Sequence, residues 1–390
     1  MKRLSTVWLV LALAACGDDD GGDADNPGKP DATVTQDGGR DASIDARVPG
    51  DDAGPRLDAT VDADTPVTQP DASTDAGSDA STDAGTPATS LRQTICGDKT
   101  DWPDPLPAQN QRNARLVKDS FGFLEGPVWI AELNQLLFSD MNFGGDNANG
   151  PPAQIRRLAP PSTFDVLKPM SGSNGIALFA PTTLLAATHD TRSLSFFDAK
   201  TGDRKNIDIK YNGKKFNSPN DVTVRDDGWV YFSDPDWQRG PRPEETKMAV
   251  YRVKLTASTT SAEALLIDDT QTKPNGVALS PDQKTLYVGS SDNDIFKWTV
   301  NADGSVSNKT PFVKPGGGSD GMGVDCAGNL YVTSGNSVRV YAPDATMRGQ
   351  IAVADGPSNV AFGGAGNKTL FITAQDAVYS IELNVPGFPY

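Results

Sequence analysis

The feature that most constrains the fold of this chain is a unit that recurs six times from Glu125 to the C-terminus. In each copy a polar residue leads a short apolar strand, a turn follows, and a second apolar strand ends in small or polar residues. The copy led by Asn220 is the fullest, with strands at 222–224 and 229–232 on either side of a turn at 226–228. Such alternation around a glycine-containing turn is typical of an antiparallel hairpin. The lead residues are Glu125, Asn174, Asn220, Asn275, Asp320 and Ser358, the last followed by Asn359.

The spacing of these units predicts the architecture. Successive lead residues lie 38 to 55 positions apart, and all-β units at such a period are typical of a propeller of four-stranded blades around a central channel. We therefore predict an all-β, six-bladed β-propeller with the lead residues in a ring at one mouth of the channel. The last unit shows only three strands, so we expect the apolar segment around Leu116 and Val117 to supply its outer strand and close the ring.

Residues 1–15 have the organisation of a bacterial lipoprotein signal. Lys2 and Arg3 form the positive end, and the apolar core that follows is shorter than the roughly 20 residues a transmembrane helix needs. Leu13-Ala14-Ala15-Cys16 resembles a lipobox, in which cleavage precedes a lipid-modified cysteine. We predict a lipid anchor at Cys16 and a location in the bacterial cell envelope, facing the periplasm or the surface. An ordinary signal peptide with an incidental cysteine is the alternative.

Residues 16–92 have the composition of a disordered tether. The segment is rich in Asp, Ala, Gly and Thr and poor in large apolar side chains, so it cannot bury enough surface to offset the entropy of ordering. It holds 18 Asp and five basic residues, a net charge of −13 out of −16 for the whole chain. The acidity therefore belongs mainly to the tether, which should extend by self-repulsion. An adhesive acidic tail is the alternative.

Residues 93–390 are long enough for one substantial core, which six blades would use completely. Cys96 and Cys326 are the two remaining cysteines. Outside the cytoplasm such a pair favours a disulfide, which would fasten the start of the domain to the turn that contains Cys326. Two free thiols are the alternative.

The ring of lead residues offers carboxylate and amide oxygens. Such hard donors suit Ca²⁺ or a related divalent ion, whereas zinc usually recruits His or Cys. His189 is the only histidine, and it lies in Ala186-Ala-Thr-His-Asp190 and not in a nucleophile elbow, so a Ser-His-Asp triad is not expected. Each Asn-Gly or Asp-Gly taken singly could be a turn, but equivalent positions in successive repeats should point to one place.

Several motifs together resemble the regucalcin (senescence marker protein)/gluconolactonase-like family over about residues 120–385. They are Glu125-Gly-Pro-Val-Trp129, Ser218-Pro-Asn-Asp221 with Tyr231-Phe-Ser-Asp-Pro235, Pro274-Asn-Gly276 with Ser280-Pro-Asp282, Asp320-Gly-Met322 and Phe362-Gly-Gly364. The resemblance implies a six-bladed propeller that hydrolyses sugar lactones with a divalent metal ion in the channel.

The resemblance also implies roles for individual residues. Glu125, Asn275 and Asp320 match the metal ligands of the family, and Asp320 matches its candidate catalytic base. Asn220 matches a residue beside the ion, and His189 and Asn174 would join it in binding substrate. Ca²⁺ is the expected ion, with Mn²⁺, Mg²⁺ and Zn²⁺ as alternatives.

Three functions remain open from the sequence alone. A metal-dependent lactonase is the leading one. A related metal-dependent esterase or phosphoesterase would use the same ring, and a non-catalytic binding propeller at the cell envelope would not need it intact. The expected partners are a small lactone or ester and, through the lipid, a membrane. We expect a monomer and no nucleic-acid partner.

Overall fold

The structure is a computed structural model that describes residues 91–159 and 163–389. The predicted signal and nearly all of the predicted tether, including Cys16, lie outside the described residues. Within the described ranges the regular structure is almost entirely β-strand, and the strands form six separate sheets. These sheets are the blades of a six-bladed β-propeller, which confirms the predicted fold class.

The elements follow one another along the chain as a leading segment and six blades. The leading segment contains α1 (Leu91–Cys96), a 3₁₀ turn (Gln109–Gln111) and β1 (Arg115–Lys118). Blade 1 contains β2 (Phe123–Ile130), β3 (Gln135–Met141), β4 (Ala153–Ala159) and β5 (Thr163–Lys168). Blade 2 contains β6 (Ser173–Ala180), β7 (Thr183–Thr188), β8 (Ser193–Asp198) and β9 (Arg204–Lys210). Blade 3 contains β10 (Val222–Val224), β11 (Trp229–Asp234), β12 (Ala249–Lys254) and β14 (Leu265–Asp268), with β13 (Ser261–Glu263) between the last two.

The second half repeats the plan. Blade 4 contains β15 (Pro274–Leu279), β16 (Thr285–Ser290), β17 (Ile295–Val300) and β18 (Val306–Val313). Blade 5 contains β19 (Ser319–Val324), β20 (Leu330–Ser334), β21 (Ser337–Tyr341) and β22 (Met347–Ala352). Blade 6 contains β23 (Pro357–Gly363), β24 (Thr369–Ala374) and β25 (Ala377–Glu382). Two further 3₁₀ turns span Ala131–Leu133 and Ala365–Asn367.

Burial follows the order of strands within a blade. Innermost strands such as β2 and β23 are buried along almost their whole length, whereas the outer strand β9 alternates between buried and accessible residues. An inner strand touches neighbouring blades with both faces, so both faces must be apolar or satisfied. The core is accordingly divided among clusters that join adjacent blades; one of them packs Phe196 of blade 2 with Phe232 and Tyr251 of blade 3.

The ring closes as the sequence predicts. Strand β1 pairs antiparallel with β25, placing Leu116 opposite Tyr379, and thereby completes blade 6 as a four-stranded sheet. A second connection between blades was not predicted. Strand β13 leaves blade 3 and pairs in parallel with β9 of blade 2, so that Ala262 lies opposite Ile209.

The C-terminal segment lies across inner-strand ends opposite the lead residues, at what we call the closed end of the channel. The Phe388 N–H donates to the Val324 carbonyl (3.1 Å), and the Phe388 carbonyl accepts from the Phe362 N–H (3.1 Å). The Trp129 N–H donates to the Pro389 carbonyl (3.0 Å). The segment therefore contacts the far ends of the inner strands of blades 5, 6 and 1.

A disulfide joins Cys96 to Cys326 at the same end, with Cα atoms 5.4 Å apart. This is the pairing that the sequence led us to expect. Leu106, which lies between the two cysteines in sequence, is buried. Its carbonyl accepts a hydrogen bond from Asn384 Nδ2 (2.8 Å). The leading segment and the C-terminal segment are therefore fastened to each other. No helix in residues 91–159 and 163–389 is both long and apolar enough to cross a membrane.

Candidate active site at the channel mouth

The lead residues occupy irregular points of the inner strands. In blades 1, 2, 4, 5 and 6 the register with the neighbouring strand shifts at or next to the lead residue. A bulge inserts one residue and re-aims the side chains around it. In blade 3, Asn220 precedes β10 and is fixed by its own N–H, which donates to the Ser233 carbonyl (2.9 Å). The repeated motif thus places one polar side chain per blade at the mouth.

The glycine after a lead residue permits close approach of the next blade. A Cβ at Gly126 would lie 2.3 Å from the Asn174 carbonyl oxygen, and a Cβ at Gly276 would lie 2.3 Å from the Asp320 carbonyl oxygen. Any larger residue would force the inner strands apart. Both pairs lie within strands, Glu125-Gly126 in β2 and Asn275-Gly276 in β15, so the alternative that Asn275-Gly276 is a turn is wrong.

Glu125 is a buried carboxylate with few donors. Its Oε2 accepts hydrogen bonds from the Gly126 N–H (3.0 Å) and from Asn359 Nδ2 (3.3 Å). Burial raises the pKa of Glu125 well above its ordinary value, and the negative charges of Asp320 and Asp221 raise it further. The carboxylate is therefore in an environment that disfavours its charge unless a cation is present.

Asp320 and Asn275 adjoin Glu125. Burial raises the pKa of Asp320 to about 7, and the nearby Asn275 amide, whose Nδ2 donates to the Ser319 carbonyl (3.5 Å), opposes this rise. Asn275 is itself buried, while Asp320 retains partial contact with solvent. The structure thus brings together the three side chains that the sequence identified as metal ligands.

Asp221 is a third carboxylate that the sequence did not identify as a site residue. It is buried, its Oδ1 accepts from the Val222 N–H (3.0 Å), and its Oδ2 accepts from the Val277 N–H of blade 4 (3.0 Å). Burial raises its pKa to about 6. Asp221 follows Asn220 directly, at the position where four other blades have glycine, and this break in the repeat was the available signal.

Asn220 is held in place by its neighbours in blade 3. The Asp234 carboxylate accepts from the N–H groups of Asn217 and Ser218, each at 2.8 Å, and so fixes the segment that leads to Asn220. Asn220 Nδ2 donates to Gln238 Oε1 (3.4 Å). One N–H of the Asn220 amide is therefore engaged with the loop that follows β11.

Asn174 and His189 each bring an unpartnered polar atom to blade 2. Both side chains are buried, and neither Asn174 Nδ2 nor His189 Nδ1 has a hydrogen-bond partner among the described residues. His189 Nε2 must carry the proton, since its partner is the Pro151 carbonyl oxygen (2.8 Å). Burial lowers the pKa of His189 to about 4, so the ring is neutral near pH 7 and Nδ1 is an acceptor.

The donor set fits a hard divalent cation. No ion pair in the described part of the chain involves Glu125, Asp221 or Asp320, and buried carboxylates without a positive partner are costly. Within the same ranges, no three His, Cys, Asp or Glu side chains come together at metal-binding spacing. The candidate set is two carboxylates and an amide, Glu125, Asp320 and Asn275, which is chemistry suited to Ca²⁺ or a similar ion.

Comparison with known proteins decides the family. The sequence-family model of the SMP-30/Gluconolactonase/LRE-like region matches residues 123–376, a range that includes every lead residue. The chain belongs to this family. A gluconolactonase of Zymomonas mobilis subsp. mobilis is 31% identical over 306 residues, which cover 70% of this chain and 82% of that protein.

Solved structures of family members show the same fold. A gluconolactonase from Xanthomonas campestris is 28% identical and has a TM-score of 0.61, with 73% of this chain and 95% of that one covered. A calcium-binding protein, regucalcin, from Agrobacterium tumefaciens is 17% identical and has a TM-score of 0.58, with 71% and 96% covered. At that identity the regucalcin supports the propeller fold alone.

Proposed function

We propose that the protein is a divalent-metal-dependent lactonase that hydrolyses a sugar lactone such as gluconolactone. The observation that carries the proposal is the meeting of Glu125, Asn275 and Asp320 at the channel mouth, where buried carboxylates lack positive partners. The similarity to a Zymomonas gluconolactonase over most of both chains supports the same reaction class. Ca²⁺ is the ion that this oxygen set suits best.

The three proposed metal ligands have defined tasks in this reaction. Glu125, Asn275 and Asp320 would hold the ion, which when bound supplies polarisation of the lactone carbonyl and stabilisation of the developing negative charge. Asp320, the ligand with partial solvent contact, accepts the proton of the attacking water. Water oxygen bonds to the carbonyl carbon, the ring C–O bond breaks, and the released alkoxide takes up a proton to give the hydroxy acid.

The unpartnered atoms of blade 2 suit a polyhydroxylated substrate. Asn174 Nδ2 is a free donor and His189 Nδ1 a free acceptor, whereas one N–H of the Asn220 amide already bonds Gln238 and its oxygen would be offered to the substrate. A sugar hydroxyl can both accept and donate a hydrogen bond. We therefore assign Asn220, Asn174 and His189 to substrate binding.

The decisive experiment is hydrolysis of aldonolactones and aryl esters by the mature chain, with and without a chelator. We expect lactone hydrolysis that chelation abolishes and Ca²⁺ restores. Ester hydrolysis without lactone hydrolysis would instead favour a related esterase. Absence of both activities under all ions would favour a non-catalytic binding propeller and contradict the proposal.

We further propose that Cys16 anchors the mature protein to a membrane of the bacterial envelope, with residues 16–92 as the tether. The lipobox-like sequence before Cys16 supports this. Membrane fractionation of Cys16→Ala tests it, because the variant should lose membrane association. A variant that is processed normally and still remains membrane-bound would contradict the anchor.

A further inference from the structure

Asn359 follows the lead residue Ser358 of blade 6, and hydrogen bonds hold its side chain in one orientation. Its Oδ1 accepts from the Val360 N–H (2.8 Å), and its own N–H donates to Thr373 Oγ1 (3.1 Å). The side chain is buried, with 6% of its surface exposed. Because Oδ1 is engaged with the backbone, the amide nitrogen must point the other way, toward blade 1.

Gly321 of blade 5 leaves room for the Asn359 amide because it has no Cβ. A Cβ at Gly321 would lie 2.0 Å from the Asn359 Cγ and 2.4 Å from its Nδ2. Distances below 3.0 Å are essentially never seen for a real Cβ. The Asn359 amide is therefore packed flat against the backbone next to Asp320, and it reaches Glu125 from there.

The two carboxylate oxygens of Glu125 differ in their hydrogen bonds. Oε2 receives both the Gly126 N–H and Asn359 Nδ2. Among the described residues no N–H group donates to Oε1. A carboxylate with one oxygen saturated by fixed donors is oriented, and its second oxygen is available for another ligand.

We propose that Asn359 is a positioning residue for Glu125. The Asn359 amide binds Oε2 of Glu125 and so presents Oε1 to the divalent ion. The inference rests on the proposed metal site and goes beyond it, because Asn359 itself is not a ligand. Side chains that orient metal ligands typically contribute 10- to 100-fold to metal affinity. We expect a loss of about this size when the amide is removed.

The test is the affinity of the mature chain for Ca²⁺, measured without substrate by calorimetry and by the Ca²⁺-dependent rise in melting temperature. Asn359→Ser can still accept from Val360 but is too short to reach Glu125, and it should bind Ca²⁺ about 10- to 100-fold more weakly. Asn359→Leu keeps the side-chain volume and should show the same loss. It serves as the second variant if the serine variant folds poorly.

Asn329→Ser is the matched control. Asn329 Nδ2 donates to Asp325 Oδ2 (2.8 Å) in another buried amide–carboxylate pair, near the closed end of the channel. Its replacement should lower the melting temperature in chelator but leave Ca²⁺ affinity unchanged. A purely structural role for Asn359 predicts the same behaviour for Asn359→Ser.

The outcomes separate the two proposals. If the parent binds no divalent ion, the metal site itself fails and the positioning role with it. If the parent binds Ca²⁺ and both Asn359 variants bind it equally well, the metal site stands and the role of Asn359 is overturned.

Discussion

Buried carboxylates at the two ends of the central channel differ in the number of hydrogen-bond donors that they have. At the closed end, Asp325 accepts hydrogen bonds from the N–H groups of Ala327 and Asn329, from Asn329 Nδ2 and from the Tyr331 hydroxyl. At the mouth, Glu125 has two donors and lies within electrostatic reach of two other carboxylates. The four donors hold Asp325 in its turn, whereas the small number of donors at the mouth is the basis for the cation site that we propose there.

The largest expected effect is at the mouth. Asp320→Asn keeps an oxygen ligand but removes charge and basicity, so lactone hydrolysis should fall by about 100-fold or more while the fold persists. The same substitution at the closed end, Asp325→Asn, should lower the melting temperature and leave kcat of the folded protein close to that of the parent. Steady-state kinetics and thermal melts of both variants check this. Equal loss of activity in the two variants would erase the distinction between the ends.

Removal of the disulfide should affect stability alone. Cys96 and Cys326 are 230 residues apart in sequence, and loss of a native disulfide typically costs about 2–5 kcal/mol. The double variant Cys96→Ala/Cys326→Ala should unfold at lower denaturant concentration and retain its KM for lactone. A changed KM with unchanged stability would show that the closed end is coupled to the site.

The stability of the folded protein should depend on pH through the protonation of Asp325. Burial raises its pKa from 3.8 to about 6, so the folded state favours the protonated form. This stabilising contribution is complete below pH 4 and disappears as the pH rises through 6. The melting temperature of Asp325→Asn should therefore lie furthest below that of the parent near pH 4, with the gap narrowing toward pH 7. A gap that widens with pH would contradict the assignment.

The smallest expected effect is that of the predicted tether. A chain that begins at residue 93 should show the same kcat and KM as the mature chain, because the tether has almost no large apolar side chains with which to contact the site. Parallel kinetics at matched protein concentration measure this. A large fall in kcat on truncation would assign the acidic segment a part in the chemistry.

The repeating part of the fold could be predicted from the sequence because it is encoded locally. Hairpins at 222–232 and their equivalents show alternation and turn residues, and the missing fourth strand of blade 6 identified the segment around Leu116 as its partner. The crossing of β13 to blade 2 and the closure of the channel by Phe388 have no local signal. Both depend on which backbone edges lie close together after folding.

The same division applies to the site. Equivalent positions in a closed ring must converge, which predicts that the lead residues meet, and the resemblance to the family selected Glu125, Asn275 and Asp320 among them. Asp221 and Asn359 were left out of the predicted site because their roles depend on contacts between blades, to the Val277 N–H in one case and to Glu125 in the other. A single sequence carries no distance between blades.

The most direct test of the central claim is a Ca²⁺ titration of the chelated mature chain, followed by melting temperature and lactone hydrolysis together. Because an ion that binds only the folded state stabilises it by RT ln(1 + c/Kd) at a free Ca²⁺ concentration c, the melting temperature should begin to rise near the Ca²⁺ concentration that half-restores hydrolysis and continue to rise above it. Glu125→Gln should move both responses to higher Ca²⁺. Mn²⁺ and Zn²⁺ run in parallel would rank the ions. If no ion changes either signal and Glu125→Gln behaves like the parent, the channel mouth is not a metal site.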